Sequence, residues 1–433
     1  MAAGNRTLRR RRPDRPRLLA HRILGAVTQQ DAYANLETAR VLSDAGLDPR
    51  DAGFVTELVS GTCRLLGTYD RILAAASGRD SFDPALADAL RLGTHQLLSM
   101  RVGHHAAIST TVDLAAATVG EKVAGLTNAV LRKVAARDLD GWVDHLARDE
   151  DALGRLALRT HHPRWIAQAY VDLLGDEAEE ALAANNVPPV PTLVVRPGLA
   201  TVDELDGEPT ARSPFGARRP GNPGDLAAVR EGRAGVQDEG SQLVALALAE
   251  SDAPEGPWLD LCAGPGGKAA LLAGLAMQQG STLLASELQP HRAGLVAAAL
   301  RAYGGENRPR VIAADGTRPA WASGRFARVM ADVPCTGLGA LRRRPESRWR
   351  RTPEHLAGLV PLQRRLLSSA LDATAPGGVV AYVTCSPHRD ETEGVLATVL
   401  ADRDDVTRES TTQLWPHRDG TDAMFCALLR RRA

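Results

Sequence analysis

The stretch WLDLCAGPGGKA, residues 258–269, passes from an apolar strand-like run through three glycines into an apolar helix-like run. Gly264, Gly266 and Gly267 allow a tight turn and a close approach of the backbone to a ligand, with the first N–H groups of the helix turned toward it. An acid, Glu287, ends the next strand-like run and is placed to accept hydrogen bonds from ribose hydroxyls. The pattern suits a loop that holds a nucleoside-bearing cofactor. Gly264, Gly266 and Ala269 also satisfy G-x-G-x-x-A, so a dinucleotide, and with it an NAD-dependent oxidoreductase, stays open. The G-x-x-x-x-G-K spacing of a P-loop is not met.

Around this loop, strand and helix patterns alternate from Val236 to the C-terminus. Strands are expected at Trp258–Cys262, Thr282–Glu287, Val311–Asp315, Val329–Val333, Val379–Cys385 and Met424–Leu429, with a helix at Pro290–Tyr303. Such alternation predicts a parallel sheet covered by helices on both faces, with ligands bound beyond the C-terminal strand ends. Two more acids, Asp315 and Asp332, sit at those ends. With Glu287 they suit recognition of an adenosine and a base, although a lone Asp there is more often a cap or turn residue.

Two cysteines occupy the same edge. Cys335 lies in Asp332-Val333-Pro334-Cys335-Thr336-Gly337 and Cys385 in Thr384-Cys385-Ser386-Pro387. A single cysteine is usually buried and inert. In the usual order of this kind of sheet the fourth and fifth strands are neighbours, so both thiols are expected to face one pocket. A thiolate that adds to a weakly nucleophilic ring is a means of activating it, because covalent catalysis splits one hard step into two easier ones.

Upstream, residues 18–137 read as helix throughout: Leu19, Ile23 and Val27 recur at helical spacing, as do Leu86, Leu90 and Leu97, and breaks are expected at Gly67, Ser77-Gly78, Gly103 and Gly120. Cys63, four residues after Val59, is expected in the core. Residues 140–236 are less regular, with helical stretches near Pro163-Arg164-Trp165 and at Asp176–Ala184 and a β-branched run at Thr192–Val195. The Pro-, Gly- and Arg-rich stretch 197–235 reads as a loop-rich connector. The expected organisation is a basic tail at 1–16, an all-helical domain at 17–139, a small α+β intermediate region at 140–235 and an α/β domain at 236–433.

Net charge is +0, with arginines gathered at Arg6–Arg17 and Arg342–Arg351. The second run follows the Cys335 loop directly and is expected to meet phosphates, with Trp349 either stacking on a base or packing. Five scattered cysteines make no disulfide framework, no metal-ligand spacing is present, and no apolar run reaches the length of a membrane span. No metal, no membrane, a monomer and a reducing cytoplasm are the corresponding expectations.

Three segments together resemble the Sun/RsmB/NOL1-type RNA cytosine-C5 methyltransferases: DLCAGPGGKA at 260–269, DVPCTGLGALRRRPESRWR at 332–350 and YVTCSPHRDETEG at 382–394. Upstream, HHAAISTTVDLA at 104–115 and GLTNAVLRKV at 125–134 resemble the NusB-like domain of the bacterial small-subunit rRNA enzymes, and HHPRWIAQAY with ALAANNVPP their intermediate region. The resemblance implies a NusB-like domain ahead of a Rossmann-like class I methyltransferase, with S-adenosyl-L-methionine as methyl donor and RNA, first the small-subunit rRNA, as substrate. It makes Cys385 the nucleophile and gives Cys335 the part of assisting release. It assigns the donor to Cys262, Ala263, Gly264, Pro265, Gly266, Gly267, Lys268, Glu287, Asp315 and Asp332, with a base contact competing at Asp332. The sequence departs from the pattern at Glu391-Thr392-Glu393, where an E-N-E-like cluster is usual, and at Thr336, where serine is commoner. A non-catalytic RNA-binding assembly factor is the alternative.

Overall fold

The computed structural model describes residues 13–432, so the expected basic tail lies outside the described residues up to residue 12. The described chain divides into two compact units, one running to Val171 and including Arg343–Arg350, the other made of Asp172–Arg342 and the residues from Arg351 onward.

The first unit is helical: α1 (Arg15–Gln29), α2 (Ala34–Ala45), α3 (Pro49–Ser77), α4 (Pro84–Leu98), α5 (His104–Thr118), α6 (Ala124–Val134), α7 (Leu139–Leu146), α8 (Ala152–Arg159) and the start of α9 (Arg164–Leu174). Aspartates start five of them. Asp14, Asp48, Asp83, Asp138 and Asp151 each accept a backbone N–H of the first turn, and Pro49 and Pro84 follow their caps where a missing N–H costs nothing. Ile23, Leu24, Leu58, Cys63, Tyr69, Ile72, Leu90 and Leu131 form the core, with Cys63 buried as expected. Gly78, Gly103 and Gly120 stand at helix ends, but α3 runs straight through Gly67. The reason is packing. A Cβ at Gly67 would lie 2.3 Å from the Trp349 ring, so this glycine makes room for an indole and does not end a helix.

The segment that carries Trp349 corrects the reading of the second arginine run. Trp349 donates to the Cys63 carbonyl at 2.9 Å. Arg348 is fully buried and donates to the His161 carbonyl. Arg350 donates to the carbonyls of Val27, Asp31 and Ala32 around the end of α1, the terminus that favours a cation, and Arg344 lies over the Tyr33 ring. These arginines hold protein together instead of forming a solvated face for phosphates.

In the second unit, the short helix Ala178–Ala184 leads to an antiparallel sheet of β1 (Thr192–Val195), β2 (Glu208–Pro209), β3 (Gly216–Arg218) and β4 (Ala234–Val236), in the order β2-β3-β1-β4. Leu193, Val195, Leu205, Ala217 and Ala234 give it a core of its own. The expected connector at 197–235 therefore contains folded structure. Its strands are too short for alternation to show in sequence.

The remaining chain forms β5 (Trp258–Asp260), β6 (Leu283–Glu287), β7 (Arg310–Ala313), β8 (Phe326–Asp332), β9 (Thr374–Thr384), β10 (Val406–Gln413) and β11 (Phe425–Arg431), in the order β10-β11-β9-β8-β5-β6-β7. Strands β5 to β9 pair in parallel, while β11 and β10 add antiparallel, so the sheet is mixed and Rossmann-like. Alternate residues of β9 face opposite layers. Val379, Ala381 and Val383 pack with the helix Gly267–Gln278, whereas Val380 and Tyr382 pack with the helix Pro353–Ala373. Strand order reverses at the β5/β8 pair, which puts the glycine loop and the Cys335 loop at the switch point. Among the described residues no helix is long and apolar enough to cross a membrane.

Candidate active site

The loop between β5 and the helix Gly267–Gln278 is drawn tight against Glu287. The Gly264 N–H donates to Glu287 Oε2 at 3.0 Å and the Gln289 N–H to Oε1 at 3.1 Å, while Arg292 donates to the Gly264 carbonyl. A Cβ at Gly264 would come within 2.1 Å of Glu287 Oε2, and one at Gly266, where φ is 109°, within 2.7 Å of Ala299. Only glycine serves at either position. Glu287 is buried at the end of β6, with the Arg292 guanidinium 3.6 Å from its Oε2.

Asp260, at the end of β5, was quoted in the motif yet not singled out from sequence. Both its carboxylate oxygens are buried with no well-formed hydrogen bond among the described residues, apart from a weak approach by the Cys262 N–H. Burial, reinforced by the nearby Asp332 charge, pushes this carboxyl up to about 7. A buried acid without a partner is costly unless something outside the chain completes it. Lys268, in the first turn of the helix, pairs with Asp332 at 2.9 Å. Burial alone would lower the Lys268 ammonium, but Asp332 and, beyond it, Cys385 hold it above the usual lysine range.

Asp315 is more modest. It follows β7 and accepts from the Thr317 N–H at 2.9 Å and hydroxyl at 2.8 Å, which holds its carboxyl below the usual range. It is a turn residue in geometry, with one oxygen committed to the turn. Cys262 belongs to the layer under the helix Pro353–Ala373, and burial, with Asp260 beside it, pushes its thiol well up. Within the glycine loop, Ala263 is buried and Pro265 exposed.

The two strand-tip thiols meet. Cys335 Sγ and Cys385 Sγ are 3.4 Å apart, and each residue is partly exposed. The Cys335 thiol is pushed well above its ordinary range, first by the hydrogen bond to Cys385 and then by burial. Lys268 and Cys385 attract each other electrostatically. The Cys385 carbonyl accepts from the Gly339 N–H at 2.8 Å, and the Gly339 carbonyl accepts from the Ala423 N–H at 2.9 Å. Arg342, at the end of the same loop, is tied to Asp422 at 2.9 Å and Asp238 at 3.1 Å.

Residues 244–430 match the family described as 16S rRNA methyltransferase RsmB/F, and residues 14–136 match the NusB family. A putative methyltransferase of Mycobacterium tuberculosis is 49% identical over the whole of both chains. The ribosomal RNA small subunit methyltransferase B of Pseudomonas syringae is 33% identical over 89% of this chain and 86% of its own. The crystal structure of PH0851 shares the fold, with a TM-score of 0.82 at 22% identity over 97% of this chain and all of the other.

Proposed function

The chain belongs to the 16S rRNA methyltransferase RsmB/F family, and on that footing we propose that it transfers a methyl group from S-adenosyl-L-methionine to C5 of a cytosine in RNA, with small-subunit rRNA as substrate. The observation that carries the reading is the pair of thiols 3.4 Å apart beside the glycine loop.

The residues present suit the donor. Asp260 keeps an unpartnered buried carboxylate for positive charge, Glu287 offers acceptors for ribose hydroxyls, and Gly264 and Gly266 clear the backbone for close contact. On this reading Cys262, Ala263, Pro265, Gly267 and Asp315 also contact the donor, and Lys268, which pairs with Asp332, interacts electrostatically with Cys385. When bound, S-adenosyl-L-methionine supplies a methyl group activated by a positively charged sulfur.

Cytosine C5 is too weak a nucleophile to take that methyl group unaided. Addition of the Cys385 thiolate to C6 breaks the aromatic ring and moves electron density to C5. Lys268 favours the thiolate by its charge, and the Cys335 S–H donates to it. After transfer, a base must take the C5 proton, and solvent water reaching the partly exposed thiols serves as that acceptor. The C5–C6 double bond then re-forms as the C6–S bond breaks, and Cys385 departs as a thiolate. Cys335 assists this elimination from within hydrogen-bond reach of the departing sulfur. A structured RNA must first unstack its cytosine, at a cost of a few kcal/mol.

The test is transfer of labelled methyl groups to small-subunit rRNA from a deletion strain, followed by bisulfite sequencing. One newly protected cytosine is the expected result. RNA binding without transfer would instead favour a non-catalytic assembly factor, and label at another atom would exclude the cytosine-C5 reading.

A further inference from the structure

We infer that Glu391, acting with Gln363, is the positioning residue of the product-release thiol: it fixes the backbone on both sides of Cys335 while leaving Cys385 to other supports. The inference rests on the two-thiol reading above and deepens it.

Strand β8 ends at Asp332, and Val333 makes the last ladder-like bond, to the Val383 carbonyl. Beyond it Pro334-Cys335-Thr336 has no strand beside it, yet Thr336 is buried. Its polar groups are met by one fully buried carboxylate. The Thr336 N–H donates to Glu391 Oε1 at 2.8 Å, and the Thr336 hydroxyl donates to Glu391 Oε2. Gln363, buried on the helix Pro353–Ala373, donates from Nε2 both to Glu391 Oε1 and to the Pro334 carbonyl, each at 2.9 Å. The carbonyl before Cys335 and the amide after it are therefore held by the same two side chains. Glu391 is itself anchored, since the Tyr382 hydroxyl donates to its carbonyl at 2.7 Å.

Cys385 is held differently. It follows the end of β9 directly, where Thr384 pairs with Phe425 of β11, and its carbonyl takes the Gly339 N–H. Besides the contact of the two sulfurs and the Gly339 bond, a 3.1 Å contact between the Thr336 and Ser386 hydroxyls joins the two sides. Loss of the Glu391 carboxylate thus frees Cys335 first. A buried hydrogen-bonded network of this kind over-determines the geometry of a reacting group, and displacement by an ångström can cost roughly a hundredfold in rate.

The experiment compares Glu391→Ala, Glu391→Gln and Cys335→Ala for turnover and for covalent protein–RNA adduct on denaturing gels, with circular dichroism to confirm folding. Glu391→Ala is expected to lose roughly tenfold or more in turnover while adduct accumulates, because addition outlasts elimination. Glu391→Gln keeps an acceptor for Thr336 N–H and Gln363 and is expected to restore most turnover. Should Glu391→Ala fail to fold, Gln363→Met, which releases the Pro334 carbonyl, is expected to raise adduct in the same direction. Adduct from Cys335→Ala but none from folded Glu391→Ala or Gln363→Met overturns the inference. Absence of adduct from Cys335→Ala overturns the two-thiol reading beneath it.

Discussion

Cys335 Sγ and Cys385 Sγ lie 3.4 Å apart although 50 residues separate them in sequence. The parallel pairing of β8 with β9 causes this. Asp332 stands opposite Val383, so the chains leave the sheet side by side and each delivers a cysteine within three residues.

Asp260 makes donor binding depend on pH. Its carboxyl is raised from 3.8 to about 7, so between those values the folded protein holds a proton that the unfolded chain has released. Stability therefore falls as pH rises through that window, and a cationic ligand that pairs with the carboxylate must displace the proton below pH 7. Calorimetric affinity for S-adenosyl-L-methionine is expected to climb between pH 5.5 and 7 by up to about tenfold per unit and then level off. Asp260→Asn should bind more weakly and lose the slope; an unchanged slope would assign it to another group.

Lys268→Met removes the ammonium that pairs with Asp332 and attracts charge to Cys385. Adduct formation on a Cys335→Ala background is expected to slow by roughly ten- to a hundredfold near pH 7, and to recover partly as pH rises. A rate equal to that of the parent at every pH would remove Lys268 from the activation of the thiolate.

Gly339 lies where no side chain fits. An added Cβ would meet the Ala423 carbonyl at 2.1 Å and the Cys385 carbonyl at 2.8 Å. Gly339→Ala should therefore depress addition and turnover together, at a stability cost of about 1–3 kcal/mol. This contrasts with the selective elimination defect expected at Glu391, and stopped-time adduct assays separate the two.

Gly67→Ala probes the helical unit alone. Overpacking against Trp349 should cost about 1–3 kcal/mol, read as a lowered melting temperature, with donor affinity unaltered. A variant as stable as the parent would show that the indole can move aside.

The glycine loop, the five parallel strands and the meeting of the thiols were legible in sequence because each rests on local pattern plus a general rule of strand order. What escaped depended on partners remote in sequence. Strand β10 is a polar edge strand with most residues exposed, so no alternation marks it. Gly67 looked like a helix end because the indole that explains it lies at residue 349. Arg348 and Arg350 were expected to meet phosphates because nothing near them in sequence reveals the carbonyls they bind. Asp260 and Glu391 stood inside the quoted motifs, but only burial and hydrogen-bond geometry distinguish them from ordinary strand-end and loop acids.

The most direct measurement is trapping of covalent protein–RNA adduct by Cys335→Ala, Cys385→Ala and the double variant, given RNA and S-adenosyl-L-methionine. The account predicts a stable adduct from Cys335→Ala and none from either protein lacking Cys385. Adduct from Cys385→Ala in equal yield would contradict it.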